Sequence, residues 1–114
     1  GIVGQRMAAI KELARMVRQS ELLISPLADS AQFIERFCSI KGIGEWTANY
    51  VAMRALNDPN AFPYSDLILR RALTDGIETL TPKQLLAEAE AWQPWRAYTV
   101  ILLWQHYGTL KLAR

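Results

Sequence analysis

The stretch Ile40-Lys41-Gly42-Ile43-Gly44-Glu45-Trp46-Thr47-Ala48-Asn49-Tyr50 decides how this chain is read. It begins as a tight turn with two glycines one residue apart and continues as a helix that is apolar on most sides. Without a Cβ, Gly42 and Gly44 are both open to positive φ and to close approach by another backbone. The helix that follows starts with unpaired N–H groups and the positive end of its dipole, which favour an anion such as phosphate. Such a turn contacts phosphate without reading a base. Lys41 and Thr47 stand where a charge and a hydroxyl would add to that contact, and Ile43 is expected to plug back between the two helices. A bare Gly-Ile-Gly is better read as an ordinary tight connection. Lys41 before it and Thr47-Ala48 after it make the pattern more specific.

Working outward, Asp29 followed by Gln32 has the form of a helix N-cap and opens a short helix through about Cys38, with Phe33, Ile34 and Phe37 on its apolar face. With a second helix from about Glu45 to Leu56, this makes a helix–hairpin–helix, closed by the stop signal Asn57-Asp58-Pro59-Asn60. Upstream, Met7, Ile10, Ala14 and Val17 recur at helical spacing and predict an amphipathic helix from about Gln5 to Arg18, with a basic, solvated outer face. Ser20 to Ala28, interrupted by Pro26, reads as a connector.

Downstream, Ala61 to Tyr64 reads as a mostly apolar loop, and Ser65 as a cap that places Asp66 in the first turn of a new helix. Thr81-Pro82-Lys83-Gln84 is a capping box with proline at the first helical position, opening a helix to about Trp92. Pro94 is expected to open the last helix, ending near Gly108. No alternating strand pattern and no repeat occurs, so the expected fold is an all-α helical bundle.

The chain has 114 residues, 51% of them hydrophobic, and a formal net charge of +2. That charge is compatible with nucleic-acid binding without demanding it. Cys38 is the only cysteine, which excludes an internal disulfide, a cysteine zinc site and a four-cysteine iron–sulfur cluster built by this chain. Its apolar flanks predict a buried thiol. The longest apolar run, Val100 to Trp104, is too short to span a bilayer, so no membrane partner is expected and a cytoplasmic location is. The chain starts at Gly1 without a methionine, as expected of a fragment or a processed chain.

Asp66 lies twenty residues after Trp46. Taken alone it is best read as a helix-start acid paired with Arg70 one turn on. Together with Ile40–Tyr50, however, it resembles the helix–hairpin–helix (HhH-GPD) DNA glycosylase superfamily, which shares the hairpin, a Gly/Pro-rich loop and a catalytic aspartate. Phe62-Pro63-Tyr64-Ser65-Asp66-Leu67 and Trp92-Gln93-Pro94-Trp95-Arg96-Ala97-Tyr98 resemble its alkylation-repair branch, the 3-methyladenine DNA glycosylase II type. The resemblance runs from the first helix to Tyr107.

Carried over residue by residue, the resemblance implies that Asp66 is the catalytic aspartate. A fixed carboxylate stabilises the positive charge that builds on deoxyribose as the N-glycosidic bond breaks, and it can orient or deprotonate the attacking water. The damaged base must first be rotated out of the stack. Trp46 stands where bifunctional members carry a Schiff-base lysine, so the resemblance implies a monofunctional enzyme. Trp46, Tyr50 and Trp104 match pocket aromatics, whose faces attract a cationic N-alkylated purine. On helical spacing alone these three are core residues, and Trp92 and Trp95 are read as structural. Lys41, Gly42, Ile43, Gly44 and Thr47 are the DNA-backbone contacts. The family's hairpin can also hold a monovalent cation, Na+ or K+, on backbone carbonyls that correspond to Cys38, Ile40 and Gly42. No other cofactor is implied. His106 is read as a helix-C-terminal dipole partner or a surface residue.

The implied partner is double-stranded DNA with alkylated bases, in a bacterial-type, nucleoid-associated setting. Full-length relatives place further helices before the first one seen here. Residues 1–114 therefore resemble the C-terminal portion of the two-lobed glycosylase domain, to be completed by the N-terminal part of the same protein or by another chain. Two other readings stand beside this one. A non-catalytic helix–hairpin–helix DNA-binding module needs the hairpin but not Asp66, and a helical protein-interaction module needs neither.

Overall fold

The structure, a computed structural model, describes residues 4–25 and 29–112. The chain divides into two compact units, Gly1–Asp58 and Pro59–Arg114. Among the described residues all regular structure is helical, as the periodicity predicts.

The first unit holds α1 (Gly4–Arg18), α2 (Ser30–Cys38) and α3 (Glu45–Ala55). Each lies within about a residue of its expected bounds. Asp29 caps α2 as expected, its carboxylate accepting the Gln32 N–H at 3.1 Å. Phe33 and Phe37, one turn apart, are buried edge-to-face with ring centroids 5.2 Å apart. Burial of each ring is worth about 1.5–3 kcal/mol. Their counterparts on α3 are small: Ala48 and Ala52 are fully buried, which lets α2 pack closely on α3. Asn57 ends α3 in the left-handed region at φ 54°, where asparagine is tolerated. The Asp58 N–H then returns to the Ala52 carbonyl at 3.1 Å.

On α1 the expected inner face is wrong. Met7, Ile10, Ala14 and Val17 are exposed, and the helix buries Ala9 and Met16 instead. Both sets recur at helical spacing, and periodicity does not say which one meets the core. The Pro26 break in the connector lies outside the described residues.

The second unit holds α4 (Leu67–Ala72), α5 (Pro82–Ala89), a single 3-10 turn (Glu90–Trp92) and α6 (Arg96–Leu112). Its core is Phe62, Leu69, Leu85 and Val100, and α4 packs on α6. The Thr81 capping box forms in full: the Thr81 hydroxyl accepts the Gln84 N–H at 3.1 Å, and the Gln84 side chain accepts the Thr81 N–H at 2.8 Å. Three expected boundaries move: α5 ends at Ala89, with the 3-10 turn carrying the chain on to Trp92, and both ends of the last helix shift. Pro94 precedes α6 rather than opening it, and α6 runs through Gly108 to Leu112. A mid-helix glycine costs only about 1 kcal/mol relative to alanine, which the packing of a long helix outweighs. No helix among the described residues is long and apolar enough to cross a membrane.

Candidate active site

The hairpin is a β-turn followed by a helix start. The Ile43 N–H donates to the Ile40 carbonyl at 3.0 Å, and Gly42, third residue of that turn, sits at φ +95°. A side chain is strained there, so Gly42 is required by backbone geometry. Gly44, equally free to take positive φ, is instead extended at φ −93°, ψ 176°, and serves as the N-cap of α3. A Cβ on Gly44 would meet nothing within 4 Å, so the space beside it is open. Having no side chain, Gly44 offers no side-chain cap to the N–H groups of the first turn.

The plug between the helices is also displaced by three residues. Ile40 is buried, whereas Ile43 is half-buried. Lys41, in the hairpin turn, is exposed, and Thr47, in the first turn of α3, is half-buried. The carbonyl of Ile40 accepts one hydrogen bond, and a carbonyl oxygen has a second lone pair. The turn is thus chemically compatible with an oxygen-ligated monovalent cation. Cys38 is only half-buried, but desolvation, followed by the charge of Glu45, holds its thiol above the ordinary cysteine range. A thiol so placed is a poor nucleophile.

Trp46 and Tyr50 come together one turn apart on α3, stacked with centroids 5.1 Å apart and planes 9° from parallel. Trp46 is 37% exposed. The Arg54 guanidinium lies 5.7 Å from the Tyr50 ring centroid, so this aromatic surface already accommodates one cation. Also on α3, Asn49 is buried and donates to the Glu45 carbonyl at 3.0 Å and to its carboxylate at 3.1 Å.

In the second unit the structure brings Asp66 and Trp104 together, 38 residues apart in sequence. Asp66, not Ser65, is the N-cap of α4: its Oδ1 accepts the Leu69 N–H at 2.9 Å. The same oxygen accepts the Trp104 indole N–H at 3.2 Å. Arg70, the expected ion-pair partner, turns its Nε to the Leu80 carbonyl at 2.7 Å. The loop leading to Asp66 is held firmly. Phe62 and Pro63 are buried, Phe62 lies edge-on to Trp92 at 5.9 Å, and the Asp66 N–H donates to the Pro63 carbonyl at 3.0 Å. Arg96 Nε donates to the Asn60 backbone and side-chain oxygens at 3.2 and 3.0 Å, and the Ala97 N–H to the Pro59 carbonyl at 2.8 Å.

Sequence reasoning missed the Arg96–Asn60 clamp and the polar role of Trp104. Only the latter left a signal, since an indole N–H near a core generally finds a partner. Trp92 is structural, as expected. Trp95 is exposed beside Tyr98, with ring centroids 5.9 Å apart. His106 is a surface residue on α6, its Nε2 2.8 Å from the Asp75 carboxylate.

No protein-family model matches the chain. Among curated proteins, it is 30% identical over 108 residues to DNA-3-methyladenine glycosylase 2 of Escherichia coli, covering 95% of this chain and 37% of that protein. It is 35% identical over 97 residues to a probable bifunctional transcriptional activator/DNA repair enzyme AlkA of Mycobacterium tuberculosis, covering 76% of the chain and 20% of the relative. A DNA-3-methyladenine glycosylase of Bacillus subtilis is 39% identical over 69 residues, 58% of the chain and 23% of its own length. The chain thus spans between a fifth and two fifths of these relatives. The chain belongs to the helix–hairpin–helix DNA glycosylase superfamily, in its 3-methyladenine DNA glycosylase branch.

Proposed function

We propose that this chain is the catalytic portion of a monofunctional DNA glycosylase that hydrolyses the N-glycosidic bond of alkylated purines such as 3-methyladenine, acting in base excision repair. The observation that carries the reading is the Asp66 carboxylate, held by two N–H donors on a rigid loop, in a chain alignable over 95% of its length with an enzyme of that name.

In this mechanism the hairpin residues Lys41, Gly42, Ile43, Gly44 and Thr47 hold a phosphate of double-stranded DNA through backbone N–H groups, a lysine charge and a hydroxyl. A monovalent cation on the carbonyls of Cys38, Ile40 and Gly42 would add positive charge facing that phosphate. Trp46, Tyr50 and Trp104 provide aromatic surface for the everted cationic base. An N-alkylated purine is already a good leaving group, so a strong general acid is not needed. Asp66 stabilises the oxocarbenium-like sugar and orients the water that attacks it. Trp46 forms no Schiff base, so the strand is left uncut. The remainder of the same protein, or another chain, completes the site, and the setting is the bacterial cytoplasm.

The reading is tested by base release from methylated, deaminated and oxidised duplexes by the full-length protein that carries this chain. Release of 3-methyladenine from the methylated duplex, with no borohydride-trapped adduct on abasic DNA, is expected. Release only from the other substrates, or a trapped adduct, contradicts it.

A further inference from the structure

We infer that Trp104 is a positioning residue for Asp66: its indole N–H, donated to Oδ1, fixes the plane of the carboxylate that acts on the sugar. This rests on the catalytic reading of Asp66 and adds a role for Trp104 that stacking against a base does not include.

The geometry is specific. Asp66 Oδ1 accepts from the Leu69 backbone at 2.9 Å and from Trp104 Nε1 at 3.2 Å. One donor belongs to α4 and the other to α6, so the carboxylate is tied to two elements. Two donors converging on Oδ1 from different elements oppose rotation of the carboxylate, and covalent geometry then sets the position of Oδ2. Both anchors are themselves fixed. Leu69 is fully buried, while Val100 and Tyr107 lie on the buried face of α6, four residues before and three after Trp104. That spacing places Trp104 on the same side of the helix, which packs on α4. The indole therefore reaches Oδ1 from a rigid support rather than from a free-swinging surface residue. Charge stabilisation in a transition state depends on a group that needs no reorganisation when the charge develops. The donor is the ring edge, which leaves base stacking, a property of the ring face, as a separate function.

The test is a double-variant cycle in the full-length protein, measured as single-turnover release of 3-methyladenine. Replacing Trp104 by benzothienylalanine keeps the shape of the ring and substitutes sulfur for the N–H. Trp104→Phe serves as a second variant, and denaturant unfolding of each reports on folding. We expect the benzothienylalanine variant to lose roughly ten- to a hundredfold in the maximal single-turnover rate, with the half-saturating protein concentration within a fewfold of the parent. In an Asp66→Asn background the same replacement should cost little more, because the group it positions is already disabled. An unchanged maximal single-turnover rate in the benzothienylalanine variant overturns the inference. So does a loss of the same size in both backgrounds, which would mean that Trp104 acts without Asp66. If Asp66→Asn alone retains full activity, the catalytic reading of Asp66 fails instead, and that outcome is separate from the other two.

Discussion

Replacing Gly42 and Gly44 singly by alanine separates a glycine that the fold needs from one that the ligand needs. Gly42 sits at φ +95°, where an L-residue is strained by about 1–3 kcal/mol. The added carbon would lie 3.4 Å from Gln5 Nε2, the end of a flexible side chain, so the steric part of the cost is small. Gly42→Ala should therefore lose about 1–2 kcal/mol of stability, nearly all of it from the backbone. Gly44 is different. Its φ of −93° suits any residue, and a Cβ there meets nothing within 4 Å. Alanine is a poorer N-cap than glycine by under about 1 kcal/mol. The stiffer unfolded chain returns roughly 0.4–1 kcal/mol, so Gly44→Ala should be close to neutral. If phosphate docks on this open side, the same methyl group obstructs it. Loss of one charged hydrogen bond costs about 1.5–3 kcal/mol, or roughly ten- to a hundredfold in Kd. Denaturant unfolding and duplex-binding anisotropy at fixed salt read the two effects apart. A stable Gly42 variant refutes the backbone argument, and a Gly44 variant that binds duplex like the parent refutes the phosphate-docking argument.

Thr81→Ala removes the hydroxyl half of the α5 capping box, and should cost about 1 kcal/mol in unfolding with base release unchanged. Because desolvation raises its pKa, the Cys38 thiol should be neutral at pH 7. Its alkylation by iodoacetamide should rise with pH along a curve displaced to higher pH than that of a free cysteine peptide. Asp66→Ala should lose the cap of α4 and leave the Trp104 N–H without its Oδ1 acceptor, whereas Asp66→Asn keeps an accepting oxygen. The alanine variant should then be less stable than the asparagine variant by roughly 1–2 kcal/mol, measured by denaturant unfolding.

The features legible in the sequence are those whose physics is local. Thr81 and Gln84 answer each other within one turn, as do Asp29 and Gln32, so both caps could be read directly. The cap at Asp66 was displaced by one residue because Ser65 and Asp66 are both good N-caps and only the chain's path chooses between them. The buried face of α1 differs from the expected one for a similar reason: two apolar stripes at helical spacing compete, and tertiary packing selects Ala9 and Met16. Gly42 and Gly44 look equivalent in sequence, yet only one is at positive φ. The contact between Trp104 and Asp66 spans 38 residues: the indole N–H signals that a partner is needed, but nothing local names Asp66 as that partner. The candidate residues were recognisable by resemblance; which of them touch is a tertiary fact.

The central claim is that the carboxylate of Asp66 performs the chemistry. Its most direct test is single-turnover release of 3-methyladenine from methylated duplex DNA by the full-length protein and its Asp66→Asn variant. The account predicts a loss of at least about a hundredfold in rate, the scale seen when one preorganised electrostatic group is removed. Duplex affinity and unfolding should stay near those of the parent, since the hairpin is untouched and asparagine still caps α4. An Asp66→Asn protein that releases the base at the parental rate would contradict it.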